Sequence, residues 1–171
     1  MPRPTLHIKT KKSDYLLEAI SALAVIILVA LPFIYYNQLP DEIPTHFNVK
    51  GEPDDFGSKA LIWIFPLIGL ILYVAMTLLS RFPHKLNYPV EITEENACYQ
   101  YKNAIKLTRT VKLFVVLVIL FITYKSIAFG LEKSDGLGVY FLPFFLLLIF
   151  GTLAVYVINA IRNKRVDDHL R

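Results

Sequence analysis

Four long apolar blocks divide this chain, separated by polar segments of different character. The blocks cover about residues 19–36, 60–79, 113–131 and 137–161. Each is close to the ~20 residues that cross a bilayer's hydrocarbon core as a helix. A helix on the surface of a soluble protein shows an apolar stripe and a polar face. Runs such as Ala22-Leu-Ala-Val-Ile-Ile-Leu-Val-Ala-Leu31 have no polar face. Four helices apolar all round cannot bury one another in a chain of 171 residues. The pattern therefore predicts an all-α membrane protein: four transmembrane helices in a single integral membrane domain over residues 1–171. A structured loop at 37–59 joins the first two spans, and a longer polar loop at 80–112 joins the second and third.

Charge sets the expected orientation. The N-terminal tail carries Arg3, Lys9, Lys11 and Lys12. The 80–112 loop carries Arg81, Lys85, Lys102, Lys106 and Arg109, with Lys112 at its edge, and the C-terminal tail carries Arg162, Lys164, Arg165 and Arg171. The 37–59 loop has only Lys50 and Lys59, and the turn between the last two spans only Lys133. Basic residues concentrate on the cytoplasmic side of membrane proteins, so both termini and the 80–112 loop are expected there and the 37–59 loop outside. Tyr35, Tyr36, Trp63, Tyr124 and Tyr140 fall near the proposed outer interface, where amphipathic rings prefer to sit. The formal net charge of +4 follows from this anchoring, and no nucleic-acid partner is expected. The first block is long for a signal peptide and no small-x-small site follows it, so it reads as a retained span. Cys98 is the single cysteine, which excludes an internal disulfide and leaves an unmodified thiol or a palmitoylation site.

Pro32, Pro66 and Pro143 fall inside spans, toward their outer ends. A proline within a helix frees the carbonyl four residues earlier and kinks the chain. The carbonyls of Leu28, Ile62 and Val139 would then need partners, which predicts a bundle splayed outward into a shallow cavity beneath the 37–59 loop. Lys125, in the third span, has two readings. Its side chain snorkels to the outer headgroups, or it pairs with Asp41, Glu42, Asp54 or Asp55 and pins the loop over the bundle.

The loop itself is rich in chemistry. Ile43-Pro-Thr-His-Phe-Asn48 reads as extended chain, because each proline disfavours helix in its predecessor. Lys50-Gly51 and Pro53-Asp-Asp-Phe-Gly57 carry turn residues. Ser58 is placed to cap the second span, and Asp54 and Asp55 fall near that helix's positive end. His46 among carboxylates raises a metal site, a pH sensor or a hydrogen-bonded structural histidine. No second histidine stands at ligand spacing, and no nucleophile, metalloprotease or phosphate-loop motif is present. No catalytic residue, metal or cofactor is expected.

These residues resemble the bacterial family known as domain of unknown function 1648. Its pattern of Leu-Pro-x-x-Ile-Pro-x-His-Phe-Asn, Gly-x-Pro-Asp and aromatic-Gly-Ser-Lys is met by Leu39, Pro40, Ile43, Pro44, His46, Phe47, Asn48, Gly51, Pro53, Asp54, Gly57, Ser58 and Lys59, with Phe56 where tryptophan is common. The segment Asn87-Tyr-Pro-Val-Glu-Ile-Thr-Glu-Glu-Asn96 is also similar to the family's second loop. The same module occurs in Sdp-type immunity proteins of Firmicutes, which protect a producer from its secreted toxin and can hold a repressor at the membrane. The resemblance implies a bacterial inner-membrane protein with a secreted peptide or toxin as partner at its outer face. Those relatives have six spans, against four here.

Residues 81–110 add a further expectation. Thr93 is placed to cap a helix with Glu94 and Glu95 in its first turn. Tyr99, Ala104, Ile105 and Leu107 alternate with Gln100, Lys102, Lys106 and Arg109, giving a basic amphipathic helix that leads into the third span. It lies on anionic lipid or docks a cytosolic regulator. The function expected is that of a non-enzymatic envelope protein with the loop residues Pro44, His46, Asn48, Gly51, Pro53, Asp54, Gly57, Ser58 and Lys59 as recognition element. A small transporter or channel subunit using Lys125 and a metalloenzyme centred on His46 are the alternatives.

Overall fold

The computed structural model describes residues 3–9 and 11–165, so Arg171 lies outside the described residues. Four helices are long and apolar enough to cross a membrane. They are α1 (Lys12–Tyr35), α2 (Ile64–Leu79, entered through a 3-10 turn from Lys59), α3 (Ala97–Gly130) and α4 (Phe141–Arg162). Between α1 and α2 the chain forms a two-stranded antiparallel sheet, β1 (Glu42–Phe47) with β2 (Pro53–Ser58). The fold is therefore mostly helical with a small hairpin, rather than purely helical.

The long axis is α3, which packs against each of the other three helices and against β1. Its 34 residues make it about 51 Å long at 1.5 Å per residue, well beyond a ~30 Å hydrocarbon core. The surplus is the expected amphipathic segment, now standing upright as a continuation of the span. It does not lie flat, because its apolar face is taken up by this chain: Ala97, Tyr101, Ala104 and Ile105 are buried. The Tyr101 hydroxyl donates to Pro4 O (2.8 Å), and Arg3 reaches back to the carbonyl of His84 (3.3 Å) and lies 5.4 Å from the Tyr88 ring. Much of the apolar face of this segment is thus occupied by the chain itself, although Lys102 and Lys106 stay exposed. The helix starts at Ala97, after Asn96, rather than after Thr93. Thr93 and Asn96 exchange hydrogen bonds (3.0 and 3.3 Å), and Glu94 and Glu95 sit in the turn before the helix.

Only Pro32 is interior to a helix. Pro66 and Pro143 stand third in α2 and α4. The first-turn N–H groups of an α-helix have no partner within that helix, so proline costs less there than in a helix interior. Among the described residues, the space expected as a cavity beneath the loop is packed with side chains. Leu39, Ile43, Ile62 and Ile127 fill that space as a buried cluster, flanked by Tyr35, Trp63 and Phe65. The fourth span begins at Phe141, after a loop in which Gly136 and Gly138 take φ of +135° and +90°.

Candidate functional site

The hairpin is built so that most of the motif serves as architecture. Asn48 organises the turn: its Oδ1 accepts from Lys50 N (2.8 Å) and Glu52 N (3.2 Å), and its Nδ2 donates to Glu52 Oε2 (3.1 Å). Gly51 has φ +78°, and a Cβ there would stand 2.5 Å from Gly138 O. Leu137 N donates to Gly51 O (2.7 Å), which ties the hairpin tip to the loop before α4. Gly57 leaves room for the side chains of Leu61 and Thr45, which a Cβ would meet at 2.9 and 3.1 Å. The residues expected as turn at 53–57 are instead strand β2, because Pro53 pairs with Phe47 and Gly57 with Ile43.

At the base, Ile43 and Pro44 are fully buried. Lys59 Nζ donates to Leu39 O (3.4 Å), lies 3.2 Å from Asp41, and sits 5.7 Å from the Tyr36 ring. Ser58 Oγ accepts from Ala60 N (3.3 Å), the expected cap. Phe56 packs on Phe129 at 5.9 Å between ring centres. The hairpin thereby docks as a cap on one end of the bundle.

Two side chains of the motif have no architectural duty. His46 Nδ1 and Asp54 Oδ1 are 2.6 Å apart, with side chains 67% and 42% exposed. The register slips on both sides of His46, which turns this pair outward. Thr45 Oγ1 donates to Asp55 Oδ2 (3.3 Å) beside it. Among the described residues, no three His, Cys, Asp or Glu side chains converge at metal-ligand distance. His46 has one carboxylate partner, so the arrangement is a hydrogen-bonded pair on the docked hairpin.

Lys125 does not pair with Asp41, Glu42, Asp54 or Asp55. Its Nζ donates to Ser134 Oγ (2.7 Å), and that oxygen in turn donates to Gly136 O (3.1 Å). No carboxylate lies within ion-pair distance of it among the described residues. The ammonium faces a lateral cavity of about 590 Å³, lined by Lys50, Glu52, Lys125, Lys133, Ser134 and Asp135 among others. Three lysines against two carboxylates leave this cavity net cationic. This cavity lies at the side of the hairpin and is distinct from the one expected beneath the loop, which the buried cluster fills.

A second polar cluster, at the opposite end of the bundle, was not singled out by sequence reasoning. Lys112 is 1% exposed, bonded to Glu18 and to Thr77 Oγ1 (2.9 Å), and lies 4.7 Å from the centre of the Tyr73 ring. Arg109 lies 3.2 Å from both Asp14 and Glu18, the Glu18 contact at Nε being ionic without hydrogen-bond alignment. The cluster joins α1, α2 and α3. Its signal was present as two acids four apart on α1 and two bases three apart on α3, spacings that put each pair on one helix face.

Residues 23–70 match the family model described as domain of unknown function (DUF1648), which spans the second half of α1, the hairpin and the start of α2. The chain is also similar to an uncharacterized protein of Archaeoglobus fulgidus, with 34% identity over 94 residues. That alignment covers 47% of this chain and 51% of the relative, so the chain spans about half the relative's length. No solved structure matches. The matched family segment coincides with the cap and the two helix halves that hold it, in a chain whose four apolar helices fit a multi-pass membrane protein.

Proposed function

We propose that this protein is a non-enzymatic, multi-pass protein of a prokaryotic inner (plasma) membrane whose hairpin cap recognises a secreted peptide or toxin at the outer face, as in Sdp-type immunity proteins. The observation that carries the reading is the division of labour within the motif. Ile43, Pro44, Asn48, Gly51, Gly57, Ser58 and Lys59 build and seal the cap. They leave the His46–Asp54 pair exposed on the hairpin that also borders the Lys125 cavity. A docked surface needs less ordering on binding, which favours affinity. The distribution of basic residues supports the orientation, since the hairpin end carries few and the opposite end many.

The test is a toxin-challenge assay. Cells expressing the chain are exposed to secreted antimicrobial peptide fractions, beside cells carrying His46→Ala with Asp54→Ala. Protection by the wild type that the double variant loses, at equal membrane abundance, supports the reading. Protection retained by the double variant removes the hairpin face from recognition.

A second reading rests on Lys125. A cationic cavity at a bundle end is also what a small anion transporter would present to its substrate. Counterflow of labelled anions in vesicles, abolished by Lys125→Met, distinguishes it.

A further inference from the structure

Helix α4 is held at its ends and open between them. At the end away from the hairpin, Gln100 Nε2 donates to Ala160 O (3.0 Å), Asn103 Nδ2 to Tyr156 O (3.0 Å) and Asn96 Nδ2 to Lys164 O (2.9 Å). At the hairpin end, Phe121 of α3 stacks on Phe141 at 5.4 Å. A furrow of three adjoining pockets that share residues runs along the α3–α4 seam, the first also bordered by the N-terminal segment and the start of α1.

The first is a pocket of about 420 Å³ bordered by Lys9, Lys11, Lys102, Lys106 and Arg109, with Asp14 as its one carboxylate. Arg109 is engaged by Asp14 and Glu18, but none of the four lysines is in an ion pair among the described residues. The second, about 400 Å³, shares Asn103, Lys106 and Asn159 with the first and adds the hydroxyls of Thr110 and Thr152. Its floor includes Gly151, where an added Cβ would meet nothing within 4 Å. The third, about 690 Å³, shares Leu148 with the second and is lined by Phe114, Leu117, Phe121, Phe141 and Phe144.

The polarity therefore falls along the furrow from ammonium groups, through amides and hydroxyls, to aromatic and aliphatic carbon. That is the profile of one molecule class: phosphate, glycerol ester, acyl chain. The lengths agree. Thr110 to Phe121 is about 16 Å along α3, close to half of the ~30 Å hydrocarbon core. Basic pockets at the membrane-proximal ends of helices take anionic headgroups, each lysine near the surface contributing to the attraction. We propose that the α3–α4 furrow is a binding site for an anionic phospholipid, its phosphate held by Lys102 and Lys106 with Lys9 and Lys11, and its acyl chain laid over Gly151. A second copy of the chain is the less favoured occupant. A two-fold pairing on this face would bring like-charged Lys102 and Lys106 together.

The full-length protein, purified in neutral detergent, is titrated with phosphatidylglycerol and with phosphatidylcholine of the same chains. Native mass spectrometry and the thermal midpoint are the readouts. Retention of phosphatidylglycerol with a raised midpoint, and neither effect from phosphatidylcholine or from soluble glycerol phosphate, is expected. Lys102→Gln with Lys106→Gln should weaken retention about thirtyfold, and Lys102→Arg with Lys106→Arg should restore it. Gly151→Leu should displace the lipid without lowering the lipid-free midpoint, since its side chain enters open space and leucine favours helix over glycine. Equal retention of phosphatidylcholine, stabilisation by glycerol phosphate alone, or unaltered affinity in the glutamine and leucine variants would overturn the proposal. So would disulfide-linked dimers of Gly151→Cys in a Cys98→Ser background, which would assign the furrow to a second copy.

Discussion

At the scale of single residues, the strongest constraint is a buried charge. Lys112 is almost wholly enclosed, with Glu18 as its counter-ion. Removing one partner of such a pair strands the other, at about 3–5 kcal/mol. Glu18→Gln should therefore lower the thermal midpoint sharply, and adding Lys112→Met should recover much of the loss. A double variant as unstable as the single one would count against this account. Glu132 is a smaller case. It has φ +58° just past the end of α3, where Lys133 N donates to Ala128 O (2.8 Å). That is the helix-ending geometry glycine prefers, so Glu132→Gly should stabilise by up to about 1 kcal/mol. His46 shows what sequence can and cannot reveal about one residue. Its presence in a motif was legible. That its only carboxylate contact is Asp54, and that it faces outward, depends on register slips at a two-residue scale that no spacing rule encodes.

At the scale of elements, the hairpin is a docked part, so it should undock as one. Gly51→Ala brings a Cβ against Gly138 O at 2.5 Å and strains a backbone at φ +78°. Hydrogen exchange should then rise together in the 48–52 turn and the 131–140 loop, leaving α1 and α3 unaffected. Ile43→Ala, which empties a buried position between α1 and α3, should cost about 2–5 kcal/mol. The packing at the other end has a pH signature through Tyr88. Burial pushes its phenol up from 10.0, with Tyr156 and Tyr101 adding to the shift and Arg3 opposing it. A raised folded value means the neutral phenol is the form that fits, so this stability is present below the unfolded value of ~10 and is lost as pH rises past it. Tyrosinate absorbance should thus appear later in the folded protein than in denatured chain. Of the elements, the spans were legible because length and apolar content suffice to mark them. The hairpin was only half legible: Pro44 in β1 announced extended chain, but Pro53-Asp-Asp-Phe-Gly57 has turn chemistry and becomes strand only because β1 and the end of α3 hold it there.

At the scale of the whole molecule, orientation is the most economical test. Cys98 is half-buried in the first turn of α3, at the end opposite the hairpin. An impermeant maleimide should label it only after cells are permeabilised; labelling of intact cells would invert the proposed topology and place the hairpin inside. The sequence by itself determined that four segments are long and apolar enough to cross a membrane, which end of the bundle is basic, and that a motif-bearing segment links the first two. Those properties are sums over many residues, and each follows from hydrophobic length or net charge without reference to a partner. Tertiary structure alone decided that Ile43 closes the bundle end, that a cavity lies beside Lys125 while side chains fill the space under the loop, that Glu18 meets Lys112, and that α4 leaves a furrow along α3. Each of these depends on which faces meet across distances of 94 residues in the case of Glu18 and Lys112. A local pattern names the groups that need partners, and only packing chooses the partners.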